Sequence, residues 1–175
     1  MSSVTTDWLR DLATWPAFAA ALVAAAACWG AFRWRRSKLG AQHTLLDSRF
    51  WYKPKEVQEL FDTLGEPGRK LYAVTQVTVD LVFPLAYGLL FAMAIVRLYG
   101  TPAASWLLFL PLLTVVFDLA ENVLTAYLAW PPRHKGPAIV RLAATCTATK
   151  FTFFALSSVA TVIGLVIAAV EAVAR

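Results

Sequence analysis

Four stretches of the chain are almost wholly apolar, at 15–32, 71–96, 106–130 and 140–170. Each comes close to or exceeds the roughly 20 residues with which a helix crosses about 30 Å of hydrocarbon. The fourth lies within a longer apolar segment, 138–173, and so must tilt or project at one end. Between the first two stretches runs a polar segment, 33–70, with a pattern of its own. Val57, Leu60, Phe61 and Leu64 recur at i, i+3, i+4 and i+7, while Lys55, Glu56, Glu59 and Asp62 take the other side. Pro54 suits a first helical turn and Gly65 a stop. The spacing predicts a short amphipathic helix over 53–64 on the cytoplasmic membrane surface, with Phe50, Trp51 and Tyr52 at headgroup level. The same pattern also allows a cap packed over the bundle. The expected fold is all-α, a polytopic four-transmembrane-helix bundle forming one membrane domain over 1–175.

Composition strengthens this picture. Of 175 residues 59% are hydrophobic and 15% charged, with a mean hydropathy of +0.60. Soluble domains sit nearer 45–50% apolar and about 25% charged. The net charge of +5 would suggest nucleic acid in a soluble protein. Here the basic residues gather between apolar stretches and read as topology signals and contacts to anionic headgroups, so no nucleic-acid partner is expected. Segment 33–70 carries nine Lys and Arg, and Arg133, Lys135 and Arg141 follow the third stretch. Arg10, Arg97 and Arg175 fall on the other side. Four spans with both termini outside the cytoplasm satisfy every loop. Arg33, Arg35, Arg36 and Lys38 follow the first stretch rather than precede it, which argues for a retained helix and against a signal peptide. The short 100–102 connection predicts an antiparallel hairpin of the second and third spans. Arg97 reads as an outer-surface anchor near Tyr99.

Candidate chemistry lies inside the spans. Asp118, Glu121 and Asn122 share one helical face in the middle of the third stretch, flanked by Thr114 and Thr125. In the second, Tyr72, Gln76, Asp80, Pro84 and Tyr87 form a comparable stripe. The fourth offers Arg141, Thr145, Thr149 and Thr152 on one face, with Lys150 beside it. At 1.5 Å per residue, Asp80 lies about 13 Å into its span, Glu121 about 13 Å, and Asp118 and Lys150 about 18 Å. Ionisable groups of three helices therefore fall at one level. A lone charge there costs roughly 2.5–3.5 kcal/mol on insertion scales, which favours pairing, with Lys150 balancing one carboxylate. Pro84 frees a backbone carbonyl one turn back as a further acceptor.

Three readings follow. The centre binds or moves a small ligand, a lipid or a proton. Alternatively it is a membrane-embedded acid–base site for an isoprenoid or lipid, an isomerase or cyclase type. Third, it is register-fixing glue between helices. In the first two, Asp118, Glu121 and Asp80 do the proton chemistry, while Asn122, Lys150, Gln76 and Tyr87 hold the ligand. A lateral pocket would favour the enzyme, a wet vestibule transport, and a dry paired cluster glue. No cofactor or metal is expected. Cys28 and Cys146 are single residues within spans, His43 and His134 fall in loops, and no metalloprotease, phosphate-loop or dinucleotide motif occurs.

One ordered set of residues runs Asp47, Tyr52-Lys53-Pro54-Lys55-Glu56, Leu64-Gly65, Gly68-Arg69 and Tyr72. It continues through Asp80, Phe83-Pro84, Tyr87, Phe117-Asp118 and Glu121-Asn122. Over about 45–130 this resembles a group of small bacterial four-helix inner-membrane proteins of unassigned function. The resemblance implies a bacterial inner-membrane location and no activity.

Overall fold

The computed structural model describes residues 3–40, 44–99, 101–131 and 135–174. His43 and His134 lie outside the described residues, as does Gly100 of the expected hairpin connection. Every regular element among the described residues is helical: α1 (Ser3–Leu12), α2 (Trp15–Leu39), α3 (Pro54–Gln76), α4 (Val79–Leu98), α5 (Thr101–Leu107), α6 (Phe109–Ala129) and α7 (Pro137–Val173), with a 3₁₀ turn at Leu46–Ser48. Four segments are long and apolar enough to cross a membrane: Trp15–Leu39, Pro54–Leu98, Ala104–Ala129 and Pro137–Val173.

The boundaries depart from the expected spans in informative ways. The first helix does not end at 32 but runs through its basic residues to Leu39, because Arg and Lys are good helix formers. Its start is fixed by Thr14, whose hydroxyl accepts from the Ala17 amide, and by Pro16 in the first turn. The helix expected over 53–64 forms, with Glu56 closing back on the Lys53 amide at 2.6 Å. Its apolar face is turned to protein. Val57, Leu60 and Phe61 are buried against Tyr72, Ala126, Leu128, Ala129, Val140 and Ala143, so the segment caps the bundle. Burial of that apolar face against protein satisfies the same periodicity that a membrane surface would. Phe50 and Trp51 are exposed, but Tyr52 is 1% exposed and belongs to the core.

Gly65 does not stop α3; it kinks it. Its φ of 62° and ψ of −176° are open only to glycine, and Pro67 restarts the helix two residues on. The second span is therefore a bent α3 followed by α4, with Val77 and Thr78 between them. Nor is the link between the second and third spans a bare turn, since it holds the short helix α5. Arg97, exposed near the C-terminal end of α4, donates both Nε and Nη2 to the Ala13 carbonyl and so ties the α1–α2 corner to α4. Tyr99 donates to the Ala160 carbonyl at 2.6 Å and ties α4 to α7.

α6 packs along α7, α4 along α6, and α2 along α4. Gly88 of α4 is buried where an added Cβ would drive into the Val115 methyl, so the α4–α6 approach depends on its missing side chain. Two apolar cores result. One, at the loop end, joins Leu39, Leu46, Tyr52 and Phe61 to Ala126 and Val140. The other, at the far end, joins Leu9, Ala13 and Ala21 to Met93, Ile95, Val96 and Leu108. Along α4 and α6 the polar side chains fall between these two cores.

Candidate functional site

The stripe on α6 is buried along its length: Thr114, Asp118, Glu121, Asn122 and Thr125 are each 4% exposed or less. Its partner on α3 and α4 is buried too, with Tyr72, Gln76, Asp80, Pro84 and Tyr87 facing inward. On α7 the expected face is the wrong one. Arg141, Thr145 and Thr152 are exposed, whereas Val140, Ala143, Ala144, Thr147 and Lys150 are buried. Threonine tolerates the outward face because its hydroxyl returns to its own helix, as Thr145 does to the Arg141 carbonyl and Thr152 to the Ala148 carbonyl, both at 2.9 Å. The small residues face α6 because they let two helices approach closely.

Lys150 is the hub. Its Nζ lies 3.2 Å from Asp118 Oδ1 and is ion-paired with Glu121 Oε2. Tyr87 donates its phenol to the other Asp118 oxygen at 2.5 Å. Thr147 donates to Glu121 Oε1 at 2.8 Å, and Tyr52 lies 3.3 Å from the Thr147 hydroxyl. Burial pushes the Tyr52 phenol up from its ordinary value, so it stays a neutral hydrogen-bonding group. A continuous chain thus runs from Tyr52 through Thr147, Glu121, Lys150 and Asp118 to Tyr87.

A second knot adjoins the first. Arg35, 4% exposed, sets Nη2 2.6 Å from Asp47 Oδ2 and Nη1 3.8 Å from Asp80 Oδ2. Its guanidinium also lies over the Phe32 ring at 5.1 Å and the Tyr72 ring at 5.5 Å. Gln76 does not reach the carboxylates of α6; it donates to Asp47 at 2.9 Å. Asn122 donates at 2.5 Å to the backbone carbonyl of Asp80, the acceptor left open because Pro84, four residues on, has no N–H. Asp80 and Asp118 therefore belong to one polar centre, but Asp80 answers to Arg35 and not directly to Lys150.

Four residues of this centre escape the residue-by-residue reading: Arg35, Asp47, Tyr52 and Thr147. A signal for Arg35 exists, since Ala21, Cys28 and Arg35, all buried, stand seven residues apart on one face of α2. Tallied with the topology-setting cations, Arg35 looks like one of them; in space only Arg33, Arg36 and Lys38 are exposed. Arg69 is a structural residue, donating at 3.0 Å to the Ala129 carbonyl at the end of α6.

The centre is not sealed. A cleft of about 710 Å³ reaches it from the loop end, with α2 and α7 on opposite sides and α4 between them. Its size falls in the range of small-molecule sites, about 300–1,000 Å³. Asp80, Tyr87 and Lys150 reach its wall, and Arg35 and Asp47 line it as well. Phe32, Phe83, Phe151 and Phe154 supply apolar surface. Phe83 and Phe154 meet the Tyr87 ring edge to face at 5.2 and 5.3 Å, which fixes the phenol at the wall. Among the described residues no group of His, Cys, Asp and Glu is arranged to hold a metal ion.

Comparison with protein-family models, with characterised proteins and with solved structures finds no match to this chain.

Proposed function

We propose that this protein binds one amphiphilic molecule in the cleft between α2 and α7. The observation that carries the reading is the pairing of two surfaces in one cavity. Aromatic side chains line its body, and ionisable side chains from α2, α4 and α7 meet at its wall. A purely structural polar cluster needs neither the open volume nor Asp80, Tyr87 and Lys150 at its surface. A water-soluble ligand would leave Phe32, Phe83 and Phe154 without a partner. By the excess of Lys and Arg in 33–70, the mouth faces the cytoplasm and both termini the other side. The resemblance to small bacterial inner-membrane proteins supports that membrane as the location.

Native mass spectrometry of the full chain in nanodiscs tests the reading. One amphiphile per chain is expected to stay bound through delipidation. Phe154→Trp, which fills the cleft from a half-open position, is expected to release it. No retained species, or equal retention in the variant, would contradict the proposal.

A second reading is favoured by one detail. The Tyr87 hydroxyl, backed by Asp118 and Lys150, presents an acid–base pair to whatever lies in the cleft. As an enzyme the protein would move a proton on an isoprenoid or lipid, with Asp118, Glu121 and Asp80 in the proton-handling roles. Asp118→Asn separates the two readings. The variant keeps the Lys150–Glu121 pair and so keeps the fold. A binding protein retains its ligand in that variant. An enzyme retains the ligand but no longer converts it, a change visible as a different double-bond isomer or ring in the extracted lipid.

A further inference from the structure

We infer that the ligand's polar head is an uncharged hydroxyl seated between Arg35 and Asp80, an assignment resting on the reading of the cleft as an amphiphile site. The charges around the cleft are matched. Arg35 meets Asp47 and Asp80, and Lys150 meets Asp118 and Glu121. With Arg33 and Arg36 also on the lining, cations equal carboxylates in number. The set as a whole has no net charge for an ionic head to neutralise, and a head of either sign would meet its like as well as its opposite. One contact in the set is incomplete. Arg35 Nη1 and Asp80 Oδ2 stand 3.8 Å apart, close enough for an ion pair and too far for a direct hydrogen bond. Their side chains are 5% and 9% exposed, and both residues line the cleft. Among the described residues Arg35 Nη1 has no acceptor and the Asp80 carboxylate no donor.

Buried polar groups left without partners are costly, and the gap sets what completes these two. A single oxygen about 2.8 Å from each bridges them, accepting from the guanidinium and donating to the carboxylate. A hydroxyl does both. An ether or ketone oxygen only accepts, and an ammonium only donates. Apolar surface begins at the same pair. The Arg35 guanidinium lies over the Phe32 ring at 5.1 Å, Phe32 meets Phe83 edge to face at 5.3 Å, and Phe83 meets Tyr87 at 5.2 Å. Asp80, Phe83 and Tyr87 recur at i, i+3 and i+7 along α4 and all line the cleft, so one helical face carries the head contact and the chain contacts together. The ligand class is a neutral lipid alcohol.

The test titrates the full chain in detergent with a long-chain alcohol, its methyl ether, and the carboxylic acid and trimethylammonium cation of the same chain length. The alcohol is expected to bind about tenfold more tightly than its ether, the size of one added hydrogen bond in a buried site, and more tightly than either ion. Diacylglycerol, which carries the same group on glycerol, is expected to compete with the alcohol, and the tighter of the two names the source of the hydroxyl. Asp80→Leu is expected to bring alcohol and ether to equal affinity. That variant keeps Arg35 paired with Asp47, and keeps Asn122 on the backbone carbonyl of residue 80. Should it not fold, the comparison of alcohol with ether in the parent chain still decides. Equal binding of the two in the parent, both weakened by Phe154→Trp, would overturn the hydroxyl and leave the amphiphile reading standing. Tighter binding of the acid or the ammonium would assign a charged head and overturn it too. An alcohol advantage that survives Asp80→Leu would place the hydroxyl away from this pair and overturn the assignment. Binding of every probe indifferent to Phe154→Trp would remove both the assignment and the reading beneath it.

Discussion

Lys150→Ala is expected to lower the unfolding free energy in detergent by about 3–5 kcal/mol, the range seen when one partner of a buried ion pair is removed. Lys150 is the cation that both Asp118 and Glu121 touch, and Glu121 is wholly buried. Its loss leaves two carboxylates facing each other between the two apolar cores, with only hydroxyl donors from Tyr87 and Thr147. The cost should be recovered when the charges are removed together. Lys150→Met combined with Asp118→Asn and Glu121→Gln is expected to fold within about 1–2 kcal/mol of the parent, because the desolvation cost of all three ions disappears with their attraction. Equilibrium unfolding of the three proteins checks both numbers. A single Lys150→Ala variant as stable as the parent would mean that the hub is not where stability is held.

Arg35→Gln is expected to cost a similar amount, about 3–5 kcal/mol, while Arg33→Gln and Arg36→Gln each stay within about 0.5 kcal/mol. All three sit within four residues near the end of α2, where a count of basic residues does not separate them. In the fold only Arg35 is buried, bridging Asp47 of the 3₁₀ turn and Asp80 of α4. Without it, Asp47 keeps only the Gln76 amide and the neighbouring Ser48 hydroxyl, both neutral donors, and the 3₁₀ turn loses its ion pair to α2. Thermal unfolding of the three variants side by side reads the contrast. Equal effects across them would contradict the placement of Arg35.

Much of this architecture is written in periodicity. The four apolar runs give the helices, and the α6 stripe gives the buried polar face, because a helix in lipid must hide its polar groups against other helices. Even the Asp80 carbonyl is legible as a free acceptor, since Pro84 four residues on lacks the N–H that would take it, and Asn122 donates to it instead. The misreadings share a cause. Pattern identifies a face but not what lies against it. The Val57–Leu60–Phe61 face fits a membrane surface and a protein core equally, and only the packing against Ala126 and Val140 decides. On α7 two faces carry threonine, and backbone-bonded hydroxyls erase the difference in polarity that would tell them apart. Asp47 and Tyr52 come from a connecting segment with no period. Their place depends on how the 44–53 stretch folds back under α2 and over α7, which no local rule contains. The cleft itself is a property of three helices together and has no signature along the chain.

The central claim is that the space bounded by Arg35, Asp80, Tyr87, Lys150 and the phenylalanines holds a specific amphiphile. A photoreactive phenylalanine analogue placed at 151, lining the cleft, and at 163, on the outward face of the same helix, tests it directly in native membranes. Mass spectrometry of the adducts is predicted to show one dominant amphiphile at 151 and the mixed bulk lipids at 163. The same lipid mixture at both positions would contradict the account.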